Sequence, residues 1–433
     1  MHSQTSDKVA RAVRRCCYLG MFVQALVINL TPLFFIPLQH QFGLSFEQLG
    51  RLVLVNFLTQ MLVDLVCTVI VDRFGLVRLL SILAHLFAAA GLWLFATADV
   101  LFPADPYMGL VLGTIVFSLG CGLLEVLVSP IIQAVPAPSK ETQMALLHAF
   151  YPIGKVVVIS ISGLVLWLAG PASWKWIAVA WSVVPLINVV AFGRVKLPDL
   201  PHASMRHRTR DMIRTRTFWL GLAAIFLAGS AEMTFAQWTS AFAQAALGLP
   251  QNIADWAGLG LFGVMMMIGR LWFGMFGESV RLRPLLIWGS ALTTLAYGIA
   301  ALCPWPWISL AACALAGLTV SMLWPGIVSL CAAAFPRAGI SLFALLAAFG
   351  DSGAGSGPWM VGAVADAVGS TPAAEPATGL LGHFLTLFPT GLIDSASIGL
   401  RAGFLLAALA PAILIGVLLL LPTRRKSAVL DNH

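Results

Sequence analysis

Charged residues are scarce in this chain of 433 residues: only 10% are Asp, Glu, Lys or Arg, while 59% are hydrophobic. Soluble globular domains carry about 25% charged residues, so the composition excludes an ordinary soluble protein. It is typical of an integral membrane protein. Apolar runs that could cross a hydrocarbon core of about 30 Å as a helix recur along almost the whole chain.

Twelve such runs are predicted, and we interpret all of them as α-helices because transmembrane strands would be about half as long and would alternate in polarity. An arginine-rich stretch that contains no apolar run separates the first six runs from the last six. We therefore expect an all-α membrane protein with an N-terminal half (1–193), a cytoplasmic basic linker (194–216) and a C-terminal half (217–433). The runs are approximately Cys17–Leu38, Leu49–Val71, Leu79–Ala98, Gly109–Val135, Met144–Leu168, Trp174–Phe192, Thr217–Leu247, Ile253–Phe276, Leu285–Leu302, Trp307–Phe335, Ile340–Val368 and Leu400–Leu421.

Positive charge predicts the orientation in the bilayer. With a cytoplasmic N-terminus, all 25 Lys and Arg residues face the cytoplasm except Arg51, Lys155, Lys175, Arg270 and Arg401, as the positive-inside bias requires. Both termini should then be cytoplasmic, in a plasma membrane or a bacterial inner membrane, with the first span retained as a signal anchor. The net charge of +7 reflects topology and contact with anionic lipids, and a nucleic-acid partner is not expected.

Metal and disulfide chemistry are not indicated. The seven cysteines are odd in number and mostly lie inside spans, so they should pack between helices. His85 and His148 stand apart from other metal-ligand types, and no Gly-Lys-Ser follows the glycine run at 350–357. We expect no metal, no cofactor and no enzymatic site, and a monomer without a soluble sensor domain.

The two halves repeat short features in the same order. Parallel repeats of six-helix halves place a substrate site between the halves near the midplane, and rocking of the halves gives alternating access. The connection 369–397 between the last two spans is expected to be a passive loop, with an extracellular lid as the alternative. The repeated features pair 43–45 with 248–250, Ser129-Pro130 with Trp324-Pro325, and Ala149-Phe150 with Ala348-Phe349.

Ionisable residues stranded in apolar runs mark the functional candidates, because such a group at membrane depth is costly. Helical spacing places further polar residues on shared faces of spans two, four and five. They should line a wet central cavity, since lipid could not solvate them. The stranded residues are Glu125, Lys155, Glu232 and Asp351, and the polar faces are Asn56, Gln60 and Asp64, then Ser118, Glu125 and Ser129, then His148, Tyr151 and Lys155.

Residues 71–78, with the sequence VDRFGLVR, resemble the loop signature of the major facilitator superfamily, although Thr68 stands where that signature has glycine. A degenerate second copy begins at 274–278. Within the superfamily the chain is similar to the fucose/glucose permease-like sugar:proton symporters, over 29–33, 120–125 and 147–154. The resemblance implies the twelve-helix major facilitator fold and proton-coupled sugar transport.

The same resemblance implies a proton-coupling role for Glu125, which matches the family's glutamate, whereas Lys155 departs from the family's small or apolar residue. A salt bridge between Glu125 and Lys155 is expected from their mid-span positions. It either forms and breaks during transport or permanently joins two helices. Glu232 is the corresponding candidate in the second half, as a proton carrier, a Na⁺ ligand or a partner of a substrate hydroxyl, and we expect it to face the cavity.

Amides and aromatic residues dominate the remaining candidates, and this combination suits a neutral sugar or polyol because amides bond hydroxyl groups and indole faces cover sugar rings. Packing between helices is the alternative for the tryptophans. The predicted substrate-binding residues are Gln24, Asn29, Asn56, Gln60, Tyr151, Lys155, Gln237, Trp238 and Trp324, with Trp359 in the same inventory.

Other charged residues are predicted to act in gating. Asp64 and Arg270 lie near the signature loops, where they should latch the cytoplasmic gate together with Asp72 and Arg73; substrate binding is the alternative for Asp64 and Arg270. Asp351 lies in a glycine-rich stretch that permits bending and close helix approach, with ligation of a cation or hydrogen bonding to bared backbone as the alternative role. The sequence therefore predicts a proton-coupled symporter of a sugar or similar small polar solute, with Na⁺ as a possible coupling ion. An exchanger or exporter of organic anions or drugs, with Lys155 binding the anion, is the alternative.

Overall fold

The structure, a computed structural model, describes residues 2–74, 76–136, 140–198, 212–277, 280–335, 339–369 and 397–421. Within those ranges the chain is helical and contains no strand, which confirms the predicted fold class. Twelve long helices follow one another. They are α1 (His2–Leu33), α2 (Phe46–Phe74), α3 (Val77–Ala96), α4 (Pro106–Ala134), α5 (Lys140–Ala169), α6 (Pro171–Arg194), α7 (Arg216–Ala245), α8 (Gln251–Phe276), α9 (Leu282–Leu302), α10 (Pro306–Ala334), α11 (Gly339–Gly369) and α12 (Ile398–Leu420).

Eleven of these helices contain an apolar stretch long enough to cross a membrane. The remaining one, α11, is 31 residues long and carries two acids, Asp351 and Asp366. Several helices are composite: α8 contains a π-helical stretch at Ala254–Gly260, and α10 is broken between Val320 and Leu323. The π-helical stretch adds one residue to a turn of α8, so the side chains that follow it lie on a different face of the helix.

In the described part of the chain, the main contacts between the first six helices and the last six are those of α2 with α11, α5 with α8, and α1 with α7. The contact between α2 and α11 is the most extensive in the described part of the chain. Glycine permits this close approach, because a Cβ added at Gly362 would lie 2.2 Å from the carbonyl oxygen of Phe46, and one at Gly50 would lie 2.9 Å from the Cα of Trp359.

Several predictions fall on residues outside the described ranges. The basic linker is described only in part, because 199–211 lie outside, and the connection between α11 and α12 is not described over 370–396. The side chains of Asp72 and Arg73 also fall outside, so their gating role stays a prediction. The cytoplasmic placement of the termini and the domain limits 1–193 and 217–433 likewise stay predictions. We use "outer end" for the end that the predicted orientation places outside the cell, where α2 begins.

Candidate functional site

Three acids from three helices meet at the interface between the halves. Suitable oxygen atoms of Asp64 on α2, Glu125 on α4 and Asp351 on α11 all lie within 4.8 Å of one another. Asp64 and Asp351 are buried, at 2% and 3% exposed, and Glu125 is partly exposed. We call this group the acid cluster. Two of its members belong to the N-terminal half and Asp351 to the C-terminal half, so its geometry depends on how the halves meet.

Glu125 is held by a neutral partner. The Gln24 amide nitrogen on α1 donates to Glu125 Oε2 at 3.1 Å. The expected salt bridge between Glu125 and Lys155 is wrong: Lys155 points instead toward α8, where its Nζ lies 4.6 Å from the centroid of the Phe262 ring. The reason is that α5 packs against α8 at this level, where a Cβ added at Gly263 would lie 3.5 Å from Lys155 Cδ.

A second group, the mixed-charge cluster, consists of Glu232, Arg270 and Lys155. Arg270 Nη2 lies 3.4 Å from Glu232 Oε1, and Lys155 is close enough to Glu232 for a favourable charge interaction. Glu232 is almost fully buried, whereas the Arg270 side chain is 29% exposed. Arg270 also donates from Nε to the Ser321 carbonyl at the break in α10, at 3.2 Å. Glu232 therefore faces its own half's α8 as well as the interface, and Arg270 is joined to Glu232 rather than to Asp64.

Asn56 on the polar face of α2 accepts two hydrogen bonds within the N-terminal half. Gln60 donates to Asn56 Oδ1 at 2.8 Å, and Ser118 on α4 donates to the same atom at 2.6 Å. All three residues are buried. Asn56 and Gln60 thus form a polar wall directly above the acid cluster, about two turns and one turn of the helix from Asp64, respectively.

The predicted ligands on α1, α5 and α7 occupy the same interface. Asn29 donates to the Ala25 carbonyl at 2.8 Å, and its side chain lies near that of Tyr151. Gln237 reaches from α7 to the Ile28 carbonyl of α1, at 3.3 Å. Gln237 is buried, but Tyr151 keeps part of its surface exposed. Of these groups Tyr151 is therefore the more accessible one.

Trp238 and Trp324 have different surroundings. Trp238 is fully buried toward the outer end, packs against Phe35 and Phe46, and donates to the Pro358 carbonyl on α11 at 2.8 Å. Trp324 is partly exposed and lies against Gly350, where an added Cβ would come within 2.2 Å of its ring. Trp238 thus seals the outer part of the interface, and Trp324 borders the level of the acid cluster.

Asp366, which the sequence analysis missed, closes the outer end. Its carboxylate accepts the backbone N–H groups of Phe46, at 3.1 Å, and Glu47, at 2.6 Å, at the start of α2. Trp359 adds a hydrogen bond from Nε1 to Glu47 Oε1 at 2.7 Å. We call Asp366, Trp359 and Glu47 the outer latch. A second acid in the eleventh predicted span was the available signal, but its partner on α2 is 320 residues away.

A bundle of two six-helix halves with ionisable groups at their interface has the architecture of a secondary transporter. The family model of the Major Facilitator Superfamily matches residues 17–358, and the chain belongs to this superfamily of multi-pass membrane transporters. No curated protein matches the chain in sequence.

Solved structures of this fold cover nearly the whole chain. A D-xylose-proton symporter is similar with a TM-score of 0.70 and 17% identity, over 92% of this chain and 96% of that one. A bacterial homologue of the human lysosomal transporter Spinster gives 0.69 and 17%, over 96% of both chains. A variant of the fucose:proton symporter FucP of E. coli gives 0.60 and 15%, over 95% and 98%. Identities this low show the shared fold alone.

Proposed function

We propose that the protein is a secondary active transporter that moves a sugar or similar small polar solute together with protons, by alternating access. The observation that carries the proposal is the setting of Glu125. It lies between the halves, keeps part of its surface exposed, and has a neutral amide as its hydrogen-bond partner. Among the described residues no Lys or Arg forms a salt bridge with it. Glu125 can therefore gain or lose a proton without breaking an ion pair.

Glu232 is less suited to carry a proton than Glu125. Its carboxylate lies beside two cations, Arg270 and Lys155, and such neighbours favour the ionised form of an acid. We assign Glu232 an organising role, in which it holds the two basic side chains at the interface. Proton coupling then depends chiefly on Glu125.

A polar, uncharged solute fits the uncharged polar and aromatic groups at this interface. Gln24 offers an amide, Tyr151 a hydroxyl and Trp324 an indole face, and the last two are partly exposed. Amides and hydroxyls can exchange donors and acceptors with sugar hydroxyls, and an aromatic face covers the apolar face of a sugar ring. The likeness to the xylose and fucose proton symporters adds support for this solute class.

The test is uptake of labelled monosaccharides into proteoliposomes with an imposed pH gradient. Glu125→Gln keeps the shape and the contact with Gln24 but removes the titrating group. We expect accumulation against the gradient to be lost, while exchange of labelled for unlabelled sugar continues. Asp99→Asn is the matched control, because Asp99 pairs with Lys175 away from the interface, and it should accumulate sugar normally. Accumulation that survives Glu125→Gln would refute the coupling role.

One observation favours a second candidate, transport of an organic anion. The mixed-charge cluster brings two basic residues to one acid, which leaves one surplus positive charge at the interface. Arg270 is the accessible member, and Lys155 is buried beside it. A carboxylate or phosphate of the solute would balance this charge.

Lys155→Met separates the two candidates, because it keeps a long apolar chain against Phe262 while it removes the charge. If the solute is an anion, its uptake should be abolished and monosaccharides should not be taken up by the unaltered protein. If the solute is a sugar, Lys155→Met should retain measurable sugar uptake.

A further inference from the structure

Asp351 lies among acids and forms no salt bridge in the described part of the chain. The charged groups that act on Asp351 are Glu125 and Asp64, and both are acids. The mixed-charge cluster does not compensate, because Arg270 and Lys155 are placed on Glu232. Like charges in a water-poor site repel one another strongly, and a buried charge without a partner is costly. The setting of Asp351 therefore favours a cationic occupant beside its carboxylate, either a proton or a metal ion.

Unused oxygen atoms provide an independent sign of a ligand. Asp351 Oδ2 is buried and accepts no hydrogen bond among the described residues, although its carboxylate lies within 4.8 Å of those of the other two acids. Gln60 Oε1, one helical turn from Asp64, is also buried without a partner in the same part of the chain. Buried polar atoms are normally paired, so orphaned acceptors of this kind point to a missing donor or cation.

The chemistry of the available atoms selects the kind of ion. All the candidate ligands are carboxylate or amide oxygens, which suit hard cations rather than zinc or copper. Oxygen atoms that surround a Ca²⁺ ion lie about 2.3–2.6 Å from it, so two of them on opposite sides are about 5 Å apart. A largest separation of 4.8 Å is therefore compatible with one such ion between the carboxylates. Na⁺ is similar in size to Ca²⁺ and has the same preference for oxygen.

We propose that Asp64, Glu125 and Asp351 form a binding site for one hard cation, Na⁺ or a divalent ion of the Ca²⁺ type, shared between the two halves. Because Asp351 comes from α11 and the other two acids from α2 and α4, the site is complete only when α11 lies against α2 at this depth. Binding of the cation favours that conformation. The inference deepens the proposed function and rests on it in one respect, since the cation would occupy the place at which coupling is proposed.

The test is cation binding to the purified full-length protein in detergent, with no solute present. Radioactive Na⁺ is measured by scintillation proximity, and Ca²⁺ and Mg²⁺ by titration calorimetry, with Zn²⁺ as the soft-metal comparison. The unaltered protein should bind one of the hard cations, and that ion should raise its Tm. Asp351→Asn should weaken binding by about tenfold or more. Selective Na⁺ binding would identify a coupling ion, and selective Ca²⁺ or Mg²⁺ binding a clamp between the halves.

Asp255→Asn is the matched control. Asp255 on α8 is as buried as Asp351, and its Oδ2 also has no hydrogen-bond partner among the described residues. It lies outside the acid cluster, however, and its Oδ1 accepts a hydrogen bond from Ser240 at 2.5 Å. The affinity of the Asp255→Asn protein for the cation should equal that of the unaltered protein. Should Asp351→Asn fail to give a monodisperse protein, Asp64→Asn on the other half carries the same prediction.

Three results would overturn the inference: no binding of Na⁺, Ca²⁺ or Mg²⁺, binding of Zn²⁺ alone, or equal binding by the Asp351 and Asp255 variants. These outcomes are distinct from a failure of the proposed function. Proton-driven sugar accumulation without cation binding would remove only the cation site. Cation binding that is lost in Asp351→Asn, in a protein that accumulates no sugar, would remove only the proposed solute and its coupling.

Discussion

The outer latch gives a prediction whose size follows from the structure. Asp366 on α11 accepts two backbone N–H groups at the start of α2, those of Phe46 and Glu47. Asp366→Ala removes both hydrogen bonds and the negative charge that faces the positive end of the α2 dipole. Because these bonds join the two halves, their loss should favour the conformation in which the outer ends separate.

The expected shift is moderate. Hydrogen bonds to a charged group contribute about 1.5–3 kcal/mol each when buried, but Asp366 is partly exposed. Local capping of α2 also survives, since Ser45 and Gln48 bond each other's backbone N–H groups at 2.9 and 3.2 Å. We therefore expect a total effect of about 1.5–3 kcal/mol, which changes the ratio of closed to open molecules by about 10-fold to 150-fold.

The assay is a spin-label distance measurement between Ala104 and Trp305, each replaced by a labelled cysteine. Both are exposed and lie at the outer end, Ala104 in the first half and Trp305 in the second. Asp366→Ala should add or enlarge a population at longer distance. Asp99→Asn, which removes an acid whose partner Lys175 is in the same half, should leave the distribution unchanged. A folded Asp366→Ala protein with an unaltered distribution would show that the latch does not hold the halves together.

Two further predictions concern stability. Trp238→Phe removes the hydrogen bond to the Pro358 carbonyl and should lower the free energy of unfolding by about 1 kcal/mol, measured as a lower Tm. Trp176→Phe, at a position that is 75% exposed, should leave the Tm unchanged. Equal Tm values for the two variants would contradict a sealing role for Trp238. Gly350→Ala places a Cβ 2.2 Å from the Trp324 ring and should cost about 1–3 kcal/mol. Trp324→Ala should then lower the stability of the Gly350→Ala protein by less than it lowers that of the unaltered protein. Additive losses of stability would contradict the clash.

The twelve helices could be predicted from composition and run length because a bilayer accepts few other structures. Their internal geometry could not. The first predicted span, Cys17–Leu38, runs through a break, since α1 ends at Leu33 and a separate helix covers Phe35–Phe42. Hydropathy reports burial in lipid or protein, and both sides of the break are equally apolar. The π-helical stretch at the start of α8 cannot be predicted from hydropathy for the same reason.

The positions of the ionisable residues were also predictable, because charge is rare in these runs, but their partners were not. Helical spacing places Lys155 on the polar face of α5, yet it does not fix which neighbouring helix that face meets. In the structure the face meets α8, so Lys155 lies near Glu232 instead of Glu125. The role of Asp366 could not be predicted from the sequence, because it depends wholly on a contact with α2. Partners across the two halves are set by tertiary packing.

Helix α11 connects the two levels of the interface. Asp351 lies in the acid cluster and Asp366 in the outer latch, about four helical turns or about 22 Å apart along the same helix. A tilt of α11 that breaks the latch must also move Asp351 relative to Asp64 and Glu125, because all three contacts are made to helices of the other half. Occupation of the acid cluster and closure of the outer end should therefore be coupled, and the coupling must be reciprocal. Saturating cation should accordingly favour the closed distance in the unaltered protein, and Asp366→Ala should weaken cation binding. Cation affinity that is unchanged in a folded Asp366→Ala protein would show that α11 does not act as one rigid element.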